Sequence, residues 1–84
     1  MFTTATLTID TFNTGLRLAA DDWKPGQPHE RINVLGDGSD CGRNYTAYFR
    51  TAADTELDKR GHVRVGDWKY DARRDVHVAA ITKP

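Results

Sequence analysis

The end of the chain constrains the fold more than any other part of it. Two β-rich runs, 62–70 and 76–82, flank the polar segment Asp71-Ala72-Arg73-Arg74-Asp75, a pattern that predicts a β-hairpin. In the first run Val63 and Val65 share one parity and Trp68 and Tyr70 the other, with Gly66-Asp67 between them. A β-bulge at Gly66-Asp67 would bring all four side chains to one side. With Tyr70 facing Val76 and Trp68 facing Val78, the hairpin gains two aromatic–β-branched pairs, and His77 falls opposite Lys69. On this reading Val63, Val65, Trp68, Tyr70, Val76 and Val78 hold the fold. Arg64, Lys69, Arg73 and Arg74 are then the side chains free to meet a partner.

The rest of the chain reads as further short strands. In 4–12, Ala5, Leu7 and Ile9 alternate with Thr6, Thr8 and Asp10, which predicts a half-buried strand ending at the turn Asn13-Thr14-Gly15. The segment 16–23 fits two patterns. Leu16, Leu18 and Ala20 alternate as in a strand, while Leu16, Ala19, Ala20 and Trp23 fit a helical stripe. Asp21 and Asp22 would oppose the dipole at the end of such a helix, which favours the strand. A loop at 24–28, a strand at 31–35 and a glycine-rich connection at 36–42 follow. Tyr45, Ala47 and Phe49 alternate with Thr46, Tyr48 and Arg50, which predicts another strand over 45–52. Thr51-Ala52-Ala53-Asp54 then resembles a capping box, and Glu56 and Arg60 are spaced i, i+4 ahead of Gly61. The expectation is a single domain, 1–84, mainly β with α+β as the alternative. Its form is a small antiparallel sheet or partly closed barrel of five to six short strands, with one short helix near 52–59.

Catalytic and metal chemistry find little support in the residue pattern. The candidate zinc ligands Cys41, His29, His62 and His77 form no closely spaced pair, so no metal and no cofactor are expected. Cys41 is the sole cysteine, which excludes an intramolecular disulfide, and no motif around it marks a nucleophile. Gly36-Asp37-Gly38 with Gly42 lacks the following helix that a phosphate loop needs, and Asp37 and Asp40 would repel an anion. Adjacent Asp21 and Asp22 point to opposite faces of a strand and make a poor acid–base pair. An enzyme is not expected. The opening Met1-Phe2-Thr3-Thr4 lacks the basic and apolar parts of a signal peptide, and no apolar run reaches the ~18–20 residues that cross a bilayer. A cytoplasmic protein without a membrane partner, monomer or homodimer, is the expectation.

Charge is unevenly spread. Up to position 42 there are three basic and six acidic residues, and from Arg43 onward nine basic and six acidic. A split of this kind suits a partner with complementary patches, which the basic residues Arg64, Lys69, Arg73 and Arg74 and the acidic Asp21, Asp22 and Glu30 would meet. In its size, its lack of catalytic motifs and its divided charge, the chain resembles small phage or mobile-element proteins that inhibit host defences, anti-CRISPR proteins among them. The resemblance covers general character and no motif, so it carries over no functional residue. It implies a stoichiometric inhibitor that binds a nucleoprotein effector of the host. The alternative is a small single-stranded nucleic-acid-binding domain. It would use Tyr45, Tyr48, Phe49 and Arg50 together with Arg64, Trp68, Lys69, Tyr70, Arg73 and Arg74, with aromatics stacking bases and cations tracking phosphates.

Overall fold

The structure, a computed structural model, describes residues 2–9, 14–34 and 45–84. Strands β1 (Thr4–Thr8), β2 (Gly15–Ala19) and β3 (His29–Asn33) precede helix α1 (Tyr45–Lys59). Strands β4 (Val63–Asp71) and β5 (Val76–Thr82) follow it. All neighbours are antiparallel in the order β3-β2-β1-β5-β4. The expected small antiparallel sheet is thus present, and it is open: β3 and β4 are its two edges. The C-terminal hairpin docks through β5 onto the N-terminal strand, so the two ends of the chain close the middle of the sheet.

One face of the sheet is covered. Ala5 and Leu7 of β1, Leu16 and Leu18 of β2, Ile32 of β3, Trp68 of β4 and Ala79 and Ile81 of β5 gather there beneath Phe49, Ala53 and Leu57 of α1. Alternation delivers one side chain in two to that face, and the i, i+4, i+8 spacing of the helical residues makes the matching stripe. The segment 16–23 resolves as strand β2 followed by a turn, in which the Trp23 N–H donates to the Ala20 carbonyl at 3.1 Å.

The segment 45–52 is not a strand. It is the first half of α1, which therefore begins seven residues before the expected 52, and Thr51 and Asp54 sit inside the helix rather than at its cap. Packing decided the matter: a helix gathers Phe49, Ala53 and Leu57 into a compact stripe about two turns long that the core takes in, and that outweighs the β preference of Tyr45, Thr46, Tyr48 and Phe49. The far end agrees with the sequence. Gly61 adopts φ 75°, while the His62 N–H reaches the Leu57 carbonyl and the Gly61 N–H the Asp58 carbonyl, each at 3.0 Å. This paired closure satisfies two carbonyls at the end of the helix and needs a residue tolerant of positive φ.

The hairpin exists with its irregularity where expected, between Val65 and Lys69, but one step out of register. Asp71, not Tyr70, faces Val76; Tyr70 faces His77, and Lys69 faces Val78. The connection is one residue shorter than the polar segment suggests, and Asp75 closes it at φ 52°. The bulge does not bring four side chains to one side. Trp68 is 6% exposed, whereas Val63, Val65 and Tyr70 are 48, 55 and 54% exposed. Val63 and Val65 face Thr82 and Ala80 on the uncovered side of an edge strand, so they hold no core.

Candidate functional site

The uncovered face carries the unusual chemistry. In an antiparallel sheet, residues directly opposite one another project from the same face. Arg31 pairs with Arg17, Arg17 with Thr6, Thr6 with Val78 and Val78 with Lys69. One register row therefore crosses all five strands with a cation at each end, a second arginine beside the first, and no carboxylate. At ~4.8 Å between strands, four spacings span roughly 19 Å. The neighbouring row, His29–Ala19–Thr4–Ala80–Val65, has no acidic or permanently cationic side chain.

Arg17 is the centre of this arrangement. Its guanidinium lies 4.0 Å from the centre of the Trp23 ring. Its Nε is buried and has no hydrogen-bond partner among the described residues. Burial above all, then the positive charges of Arg74 and Arg31, push its pKa below the ordinary arginine value; none of these causes is a carboxylate. Like charges placed directly opposite destabilise a strand pair, and a buried donor left unpaired costs more. Neither arginine has a carboxylate partner among the described residues. Thr6, Thr8, Arg17, Trp23, His29 and Arg31 line a concavity of about 370 Å³ here. Trp23 is set by its indole N–H, which donates to the Gln27 carbonyl at 3.0 Å, and by edge contact with His29 at 5.2 Å between ring centres. His29 Nδ1 lies 3.2 Å from the same carbonyl; a carbonyl only accepts, so this nitrogen carries a proton. The site offers guanidinium donors, threonine hydroxyls and an indole wall.

No protein-family model, curated protein or solved structure matches the chain.

The residues expected to meet a partner divide between the two sides. Lys69 ends the cationic row. Arg74 lies close enough to depress Arg17, while its own Nε donates to Asp71 Oδ2 at 2.8 Å. Arg73 is exposed at the hairpin tip, and its backbone N–H donates to Asp71 Oδ1 at 3.1 Å. Arg64 is engaged on the helix side, with Nε 3.0 Å from Asp54 Oδ1 and Nη2 3.2 Å from Oδ2. Trp68 donates its indole N–H to the same Oδ1 at 3.1 Å. Glu30 stands 3.6 Å from Arg60, Asp21 accepts a hydrogen bond from the Thr4 hydroxyl at 2.8 Å, and Asp22 is exposed. Sequence reasoning did not single out Arg17, Arg31 or Trp23 as a site. The available signal was a pair of arginines at polar positions of two adjacent strands, each beside a core residue.

A larger concavity of about 690 Å³ lies between α1 and β4, lined by Arg50, Asp54, Arg64, Asp67 and Trp68 among others. Its carboxylates already face Arg64, so its charge is largely satisfied from within. Arg50 donates from Nη2 to Nδ1 of His77 at 3.0 Å, and its own Nε is buried and unpaired. Burial first, and the Arg50 charge second, push the His77 pKa below its ordinary value, so the neutral ring is favoured as acceptor. Among the described residues no group of three or more His, Cys, Asp or Glu side chains is placed to hold a metal ion. No helix there is long and apolar enough to cross a membrane. Cys41 and the glycine-rich segment 36–42 lie outside the described residues.

Proposed function

We propose that this chain is a non-enzymatic binding protein that acts by occupancy, docking the uncovered face of its sheet on an anionic surface. What supports the reading is one observation: Arg17 and Arg31 face each other across β2 and β3, and neither has a carboxylate partner among the described residues. A fold that needed only stability would place an opposite charge or a neutral side chain at one of those positions. A bound anion removes the repulsion, and charge-assisted hydrogen bonds to guanidinium are among the stronger polar contacts.

Joined to the resemblance to small anti-defence proteins, the proposal becomes a stoichiometric inhibitor, and the surface it covers belongs to a nucleoprotein effector of the host. The sequence split into acidic and basic halves is not the relevant polarity, because Arg17 and Arg31 come from the acidic half. Gel filtration with guide-RNA-loaded CRISPR effectors tests the reading. Co-elution at a fixed ratio, lost in Arg31→Glu, is the expected result. Separate elution of the wild-type protein from every effector tried would count against inhibition of this class.

A further inference from the structure

The anion has a shape as well as a charge. We infer that the uncovered face is a track for one strand of nucleic acid, its phosphates on the row from Arg31 and Arg17 to Lys69. The inference rests on the docking reading above and names the anion. Three features of the face lead to it.

The cations do not form one compact cluster: two arginines stand side by side at the β2–β3 end and Lys69 stands three strands away on the same line, so a chain carrying several phosphates reaches all three where a single anionic group cannot. The line is flanked by surfaces that a base can contact. Trp23 lines the concavity at the β2–β3 end, and Val63 and Val65 are exposed on the same face at the β4 end. Unpaired bases stack on aromatic side chains and rest on apolar ones, whereas a duplex turns its bases inward and offers mainly phosphates to a flat surface. Thr6, between the arginines and Val78, supplies a hydroxyl that can donate to a phosphate oxygen. An acidic polypeptide would satisfy the cations but would leave the indole and the two valines without a matching group at each charge.

Fluorescence anisotropy with labelled 12-nucleotide single-stranded RNA and DNA tests this directly. Both should bind at low salt. With about three phosphates neutralised, the logarithm of affinity should fall with the logarithm of salt with a slope near −2. Arg31→Glu should weaken binding at least tenfold and flatten that slope, and Lys69→Glu should do so to a smaller extent. Lys59→Glu, on the exposed side of α1, should change nothing. Arg31→Glu creates an opposite-charge pair with Arg17, so its melting temperature should not fall. A loss of binding in that variant is then not a loss of folding. Equal affinity for a duplex of the same length would overturn the single-strand inference, as would unaltered binding by Arg31→Glu. Binding to polyglutamate but not to oligonucleotides would overturn it while leaving the docking reading intact. Binding to none of these polyanions would overturn both.

Discussion

The two faces of the sheet are made from the same five strands under opposite rules. On the covered face leucine meets leucine across β1 and β2, and charged groups meet complementary ones: Asp54 accepts from both Arg64 and Trp68. On the uncovered face Arg17 meets Arg31. A sheet with one solvated side needs only polar residues there, and threonine or lysine opposite glutamate would serve. The contrast teaches where selection for folding ends and where another demand begins. The covered face is explained by its own contacts. The other carries an arginine pair that no carboxylate among the described residues offsets.

Substitutions on each face test the contrast. The deepest effect is expected from Leu18→Ala, a fully buried side chain under α1, which should cost about 2–5 kcal/mol in urea denaturation. Oligonucleotide affinity per folded molecule should be unchanged, and a large change would mean that the faces are coupled. Asp54→Ala strands the buried Trp68 indole and frees Arg64; since the carboxylate is itself partly exposed, a loss of about 1–2 kcal/mol is expected.

Acidification acts on the covered face through His77. Its pKa is lower in the folded protein than unfolded, so the unfolded chain takes up the proton first. The stability it contributes is complete above the ordinary histidine value of 6.5 and is lost as pH falls through the depressed folded value. Thermal melts below pH 6.5 should therefore show less acid sensitivity in His77→Gln than in the wild-type protein. Arg31→Glu should move stability the other way, by about +0.5 kcal/mol at low salt, with the gain shrinking as salt is added. Val65→Thr is expected to fall within about 0.5 kcal/mol of the wild type, because this side chain stands on the uncovered side of an edge strand.

Much of the covered face was legible in the sequence. Ala5, Leu7, Leu16 and Leu18 alternate within short windows, and Gly61 marks the end of the helix, because each of these signals is local. The first half of α1 was not legible. Tyr45, Ala47 and Phe49 alternate like a strand, and no acidic residue marks the first turn; the stripe of Phe49, Ala53 and Leu57 becomes visible only when the window extends past Asp54. The hairpin register slipped for a similar reason, since its connection is set by Asp75 at positive φ rather than by where the polar residues begin. The cationic row lay furthest from reach. Arg17, Arg31 and Lys69 are brought together by four successive strand registers, and no local pattern encodes their sum.

The same row also bears on how the sheet ends. At β4 the irregular stretch between Val65 and Lys69 interrupts the outer ladder, and Arg64 folds back onto the Gly66 carbonyl. At β3 a second copy pairing antiparallel about Arg31 would set arginine against arginine across the new seam. In that register one margin is bent and the other sets like charges together, and both features work against edge-to-edge pairing of copies. A basic stripe that reaches an edge thus also weighs on which neighbour that edge can accept.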